Sequence, residues 1–215
     1  LERFFTSMQN DLSVRRLSES DYKHWESFVA GCPSGSIFAL PSYLDILCQA
    51  TRGHFEIAGV FDGGELVGGT ALYFERNRLG LAATRRALLS YHGPVIRDYA
   101  TGNPATRGAR QAAILLALRH YLAAVPCDEM FLSVRHPIRD VRPFIAAGWL
   151  VRPDYTFLVD LTNLAETWHH IDQNQRRLIH RAEERGLVCS EDDDYDSFFR
   201  LHLAVHQRKK SPLYL

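Results

Sequence analysis

The stretch that decides the fold class runs Phe55-Glu56-Ile57-Ala58-Gly59-Val60-Phe61, then Asp62-Gly63-Gly64-Glu65, then Leu66-Val67-Gly68-Gly69-Thr70-Ala71-Leu72-Tyr73-Phe74. Two runs rich in β-branched and aromatic residues flank a short connection whose glycines supply positive φ. This reads as an antiparallel hairpin with strands over 55–61 and 66–74. Gly68-Gly69 inside the second run predicts a bulge or a close backbone approach, because glycine in a strand has no side chain to pack.

Working outward, residues 12–17 read as a short strand. Ser20-Asp21 reads as the cap of a helix carrying Trp25, Phe28 and Val29. Residues 31–36, Gly-Cys-Pro-Ser-Gly-Ser, are loop chemistry, and a second helix opens at Pro41-Ser42 and stops at Gly53. Downstream the pattern predicts a strand over 87–96, a helix from Asn103-Pro104 to about Val125, a strand over 130–134 and a helix over 138–147 stopped by Gly148. One or two strands are expected in 149–161, a helix over 164–185 ended by Gly186, a strand at 187–189, and a helix over 195–209 after the acidic run 191–196. Three consecutive strands followed by alternating elements are not a doubly wound pattern. The order predicts an α/β mixed sheet flanked by helices on both faces.

The chain has 215 residues, long for one small domain and short for two. Hydrophobic residues make up 46% and charged residues 23%, enough apolar surface to offset the entropy of ordering. Lys+Arg and Asp+Glu are both 25, which removes the simple argument for a polyanion-coating protein while allowing a local basic patch. Cys32, Cys48, Cys127 and Cys189 form no C-x-x-C pair, so zinc-ribbon and thioredoxin-type motifs are absent and reduced thiols are expected. The longest apolar run, 112–118, is far short of a membrane span. Leu1-Glu2-Arg3-Phe4-Phe5 has neither the apolar core nor the cleavage site of a leader, and a start without Met suggests trimming. The expectation is a soluble, cytoplasmic protein, with peripheral contact at the inner membrane face left open.

Several groups of residues carry candidate chemistry. Arg177, Arg181 and Arg185 recur every four residues on one helix face, with Arg176 and His180 in the next row. Such a stripe can hold a phosphate or carboxylate through forked bonds, or it can be a solvated face partly neutralised by Glu183 and Glu184. Arg76, Arg78, Arg85, Arg86, Arg97, Arg107 and Arg110 stand against the single acid Asp98. They either face tRNA, coenzyme A or an anionic membrane, or point in several directions. In Tyr91-His92-Gly93-Pro94 the Gly-Pro pair ends a strand sharply, and strand ends border clefts. Tyr91 or His92 could then contact an acceptor, or Tyr91 could belong to the core. His202 and His206 are four apart without an H-E-x-x-H, so no metal site is expected. No G-x-S-x-G elbow, P-loop or dinucleotide fingerprint is present.

Five segments together resemble a known family. They are Ser36-Ile37-Phe38-Ala39-Leu40-Pro41-Ser42-Tyr43-Leu44, Gly64-Glu65-Leu66-Val67-Gly68-Gly69, Tyr91-His92-Gly93-Pro94, the 175–187 segment with its Arg176-Arg177 pair, and the 208–214 segment Arg-Lys-Lys-Ser-Pro-Leu-Tyr. The family is the FemAB-like transferases of the GNAT (N-acetyltransferase) fold, including members associated with exopolysaccharide synthesis. The resemblance spans nearly the whole chain, and the Arg-Arg segment is its most specific part. Position 43 is Tyr where the family usually has Trp, and positions 210–211 are Lys-Ser where it often has Gly-Thr.

The resemblance implies a GNAT-like mixed sheet, with residues 1–160 as a first lobe and 161–215 as the opening part of a second. By that comparison the chain is truncated. It implies transfer of an acyl or aminoacyl group to an amine of a peptidoglycan, other cell-envelope or exopolysaccharide precursor. Acyl-CoA or aminoacyl-tRNA would be the donor, with no permanently bound cofactor. Arg176, Arg177 and Arg181 would bind an anionic substrate, such as a nucleotide-linked or lipid-linked diphosphate sugar. Tyr91, His92 and Tyr155 would be further substrate contacts, and no catalytic base can be named. The glycine-containing turn with which GNAT enzymes grip coenzyme A is missing before the long helix, since Ala105 stands three residues ahead of Gly108. The alternative is a non-catalytic GNAT-like module that binds an anionic glycan, a nucleotide-sugar or a partner protein. RNA binding is a third reading.

Overall fold

The computed structural model describes residues 12–84, 86, 88–99, 103–211 and 213. The N-terminal pentapeptide, Arg85, and Pro212 and Tyr214 of the last family-like segment lie outside the described residues. The chain divides into two compact units, Leu1–Val151 and Arg152–Tyr214.

The first unit runs β1 (Leu12–Arg16), α1 (Glu19–Gly31), a 3₁₀ turn (Ile37–Ala39), α2 (Pro41–Thr51), β2 (His54–Asp62), β3 (Glu65–Asn77), β4 (Gly80–Ala83), β5 (Pro94–Ile96), α3 (Pro104–Leu122), β6 (Glu129–Met130) and α4 (Arg142–Ile145). The sheet order is β1-β2-β3-β4-β6, and β5 also pairs with β3. Every pairing is antiparallel except that of β4 with β6. The mixed α/β sheet expected from the element order is therefore the observed architecture.

The β2–β3 hairpin holds the sheet together. Its register runs from His54↔Phe74 to Asp62↔Glu65 and shifts between Val60 and Phe61, so Val67 is the extra residue of a bulge. Gly63 and Gly64 turn the chain with φ of 54° and 90°. Apolar side chains leave both faces of β3. Leu66, Ala71 and Tyr73 join Trp25, Val29, Leu44 and Leu47 of α1 and α2 on one face. Val67, Leu72 and Phe74 join Ile114, Leu115, Leu118 and Leu122 of α3 on the other.

At Gly68 and Gly69 the two helical layers press directly on β3. A Cβ on Gly68 would lie 2.6 Å from Ile114 Cγ2 of α3. One on Gly69 would lie 2.4 Å from the Ala58 carbonyl oxygen and 2.5 Å from the Trp25 ring of α1. Trp25 cannot retreat, because its indole N–H donates to the Ala39 carbonyl at 2.7 Å inside the core. Both readings of the glycine pair, bulge and close approach, are present within three residues.

Several boundaries differ from the pattern. Helix α1 is capped by Ser18, and Asp21 is its third residue, accepting from the Ser18 N–H at 2.9 Å and gripped by Arg15 at 2.8 and 2.9 Å. Helix α2 ends at Thr51, with Arg52 in the left-handed region, and Gly53 leaves room for the Tyr73 ring. The strand expected over 87–96 shortens to β5 plus one bridge, His92↔Ser133, while β4 forms where no strand was expected. Helix α3 ends at Leu122 and not near Val125, and the helix expected over 138–147 is the single turn α4.

The second unit holds α5 (Leu164–His170), α6 (Gln173–Glu184) and α7 (Tyr195–Lys209), with no strand among its described residues. The stretches 152–161 and 187–189 therefore do not form the strands expected of them. The helix expected over 164–185 breaks at Ile171-Asp172, because the Asp172 carboxylate accepts from the Asn174 N–H and starts a new helix. Gly186, with φ of 71°, ends α6 as expected.

Substitution of Gly69 by Ala should cost about 1–3 kcal/mol by overpacking. Gly108→Ala, in α3 with open space around it, should leave stability unchanged or raise it by about 0.5–1 kcal/mol. Urea denaturation of the two variants checks the contrast.

Candidate functional site

Strands β4 and β5 lie in line along the same edge of β3. β4 faces Phe74–Asn77 and β5 faces Gly68–Thr70, so the middle of β3, residues 71–73, has no strand beside it there. The Tyr73 carbonyl accepts from the Thr84 N–H at 3.2 Å as the chain leaves the sheet. The Tyr73 N–H donates to Nε2 of His92 at 2.6 Å. On the far side of the same ring, Nδ1 lies 2.9 Å from the Phe131 carbonyl oxygen, which can only accept, so the proton sits on Nδ1. The His92 main chain exchanges bonds with Ser133 at 3.3 and 2.8 Å. One imidazole thus stands in for a missing strand segment between β3 and the chain following β6.

His92 is 2% exposed. Burial pushes its imidazolium down to about 4, against the opposing pull of the Phe131 carbonyl, so the ring is neutral at physiological pH. Both ring nitrogens are spent on main chain, which leaves neither for the substrate contact expected of His92.

The free side of β5 is closed by a side chain from the α1–α2 loop. Ser34 Oγ accepts from the Ile96 N–H at 2.9 Å and donates to the Ile96 carbonyl at 3.3 Å. Beside it lies a small pocket of about 10 Å³, room for one water-sized group. Its walls come from the α1–α2 loop (Ser36, Phe38), β3 (Ala71), the chain leading into β5 (Tyr91, Gly93) and the chain past the carboxyl end of β6 (Ser133, Arg135). Crevices outside the carboxyl ends of parallel strands are where α/β sheets bind ligands. The Arg135 guanidinium lies over the Tyr91 ring, 5.2 Å from its centroid, and donates to the Gly35 carbonyl. The lining contains no Asp, Glu, Cys or His.

Of the residues expected at a site, Tyr91 lines this pocket and His92 braces it from the core. Arg176 is half-buried on α6, with Arg177 and Arg181 exposed on the same helix, and Tyr155 is 92% exposed. These four belong to the second unit. The arginines of the 76–110 stretch are dispersed: Arg86 pairs with Glu75, Arg97 with Glu65 at 2.7 Å, and Arg110 lies over the Tyr99 ring. Sequence reasoning missed Arg135, Ser34, Ser36 and Ser133. No local signal marks them, because β6 ends at Met130 and these residues meet only through the fold. Among the described residues no cluster of three or more His, Cys, Asp or Glu could hold a metal ion, and no helix is long and apolar enough to cross a membrane.

No protein-family model and no curated protein matches the chain. Among solved structures, a Trypanosoma brucei acetyltransferase is 17% identical with a TM-score of 0.39, over 70% of this chain and 100% of that one. An aminoglycoside acetyltransferase from an uncultured soil metagenomic sample, solved with sisomicin, is 15% identical with a TM-score of 0.39, over 70% and 99%. A glucosamine-6-phosphate N-acetyltransferase from Arabidopsis thaliana is 12% identical with a TM-score of 0.36, over 68% and 97%. Likenesses this loose do not fix a function, which has to be argued from the chain's own residues.

The folded ring takes its proton at about 4, below the ordinary value of an unfolded histidine near 6.5. Its contribution to stability is therefore complete above about pH 6.5 and is lost as pH falls through 4, by roughly 3 kcal/mol. The wild-type chain should lose stability across that window. His92→Leu should be flatter there, and less stable at pH 7 by about 2–4 kcal/mol because the Tyr73 N–H and Phe131 C=O lose their partner. Urea melts from pH 7 to 4 measure both.

Proposed function

We propose that this chain is a FemAB-like transferase of the GNAT fold, moving an acyl or aminoacyl group to the amine of a cell-envelope or exopolysaccharide precursor. Residues 1–160 are read as its first lobe and 161–215 as part of a second. The observation that carries the proposal is the pocket at the interrupted strand, which lies beside the carboxyl end of the parallel pair and draws lining residues from two of the family-like segments. The five matching segments support the same reading.

Acyl transfer to an amine needs the reactants held together, donors aimed at the developing oxyanion and a proton for the leaving group. The oxyanion is expected to meet main-chain N–H groups, while the Arg135 guanidinium in the lining holds the acceptor. The Tyr91 phenol is the lining's proton source for a leaving thiolate or alkoxide. The lining has no group suited to act as base at neutral pH, so the amine is expected to arrive deprotonated or to lose its proton to water. Acyl-CoA or aminoacyl-tRNA serves as donor. Arg176, Arg177 and Arg181, with Tyr155, are proposed to hold an anionic part of the substrate. The lack of a base in the lining favours one alternative, a non-catalytic GNAT-like module that binds an anionic glycan or nucleotide-sugar.

The test is release of free thiol from acetyl-CoA with a panel of amino sugars, nucleotide-linked amino sugars and amino acids. The transferase reading expects turnover with at least one amine, a loss of about a hundredfold in kcat for Tyr91→Phe, and a raised KM for anionic acceptors in Arg177→Ala/Arg181→Ala. Ligand binding without turnover from either acetyl-CoA or aminoacyl-tRNA supports the binding module instead.

A further inference from the structure

We propose that the pocket between Arg135 and Tyr91 is a carboxylate site, which selects ligands that carry a carboxylate close to their reacting group. The inference rests on reading this pocket as the acceptor site, and its chemistry comes from the guanidinium. Arg15, Arg16, Arg86, Arg97 and Arg142 of the same unit each pair with an acid. Arg135 is half-buried, and no carboxylate lies within ion-pair distance of it among the described residues. A half-buried cation without a counter-charge gains most from an anionic ligand.

The geometry specifies the kind of anion. The Arg135 Cζ lies over the Tyr91 ring, 5.2 Å from its centroid, and the N–H donors of a planar guanidinium all lie in its own plane. One of them is taken by the Gly35 carbonyl. That carbonyl is held in place by tight packing: a Cβ on Gly35 would lie 1.9 Å from the Val29 carbonyl oxygen at the end of α1. The guanidinium is therefore fixed before any ligand arrives, with an in-plane edge left to offer. A planar carboxylate fits such an edge with two parallel bonds. Ser36 and Ser133 line the same space, and a serine hydroxyl can add a donor to a ligand oxygen. Size argues in the same direction. With room for about one water, the pocket admits a carboxylate oxygen, whereas a phosphate brings three non-bridging oxygens.

Acetate and inorganic phosphate, at matched ionic strength, are the probes. The readout is the rate at which phenylglyoxal modifies each arginine of the full chain, followed by peptide mass spectrometry. Saturating acetate should slow modification of Arg135 by about tenfold and leave Arg177 unchanged, while phosphate leaves Arg135 unprotected. Arg135→Lys, with a circular dichroism spectrum like the wild type, should lose the thermal stabilisation that acetate gives. The carboxylate site is overturned if phosphate protects as well as acetate, if Arg135 and Arg177 are protected alike, or if acetate protects neither. Acetate protection in a chain that transfers no acyl group keeps the site and removes the transferase reading. Acyl transfer without acetate protection removes the site alone.

Discussion

The imidazole of His92 is the interaction on which the rest of the first unit depends. β3 is the longest strand of the sheet, and a continuous neighbour would bond its whole edge. Here that neighbour is interrupted, and an unpaired main-chain N–H in a fully buried strand would cost about 1–3 kcal/mol. The His92 ring accepts that N–H from Tyr73 and passes a bond onward to Phe131. A carboxamide could imitate the donor and the acceptor, but a flat ring also fills the width of the missing strand. With the gap closed by a side chain, the main chain before it is free to leave the sheet and carry Tyr91 outward.

The outer edge of β5 is handled by the same device. Pro94 has no N–H to satisfy, and the Ile96 N–H and carbonyl both meet the Ser34 hydroxyl. Two side chains thus replace main-chain partners, an imidazole along the edge of β3 and a hydroxyl along the outer edge of β5. No further strand is needed there, and the space it would occupy is the pocket. Its walls come from four separate parts of the chain, which is how a sheet brings Phe38, Tyr91 and Arg135 together.

Much of the sheet was legible because its signals are local. The Asp62-Gly63-Gly64-Glu65 connection and the Gly68-Gly69 pair state their backbone requirements within a few residues. The site was less legible, because its chemistry is assembled from distant segments. Tyr91 could be singled out from Tyr-His-Gly-Pro, but nothing adjacent in sequence tells Arg135 from any other arginine. His92 stood out for the right position and the wrong reason: strand-end chemistry suggested a ligand contact, whereas a gap in β3, invisible locally, employs both of its nitrogens. β4 was missed because Gly80-Leu81-Ala82-Ala83 has weak strand propensity. It is held by tertiary bonds, with the Asp128 carboxylate accepting from the Leu81 N–H at 2.8 Å.

The second unit is organised differently. None of its described residues is buried, and its helices begin on side-chain caps, Asn163, Asp172 and Asp194. Local caps define its elements, whereas the first unit is defined by packing on both faces of β3. Nitrogen NMR of the His92 ring tests the central role of that imidazole most directly. The predicted result is a neutral ring protonated on Nδ1 from pH 8 down to about 5, titrating near 4. A ring that titrates near 6.5, or carries its proton on Nε2, would contradict it.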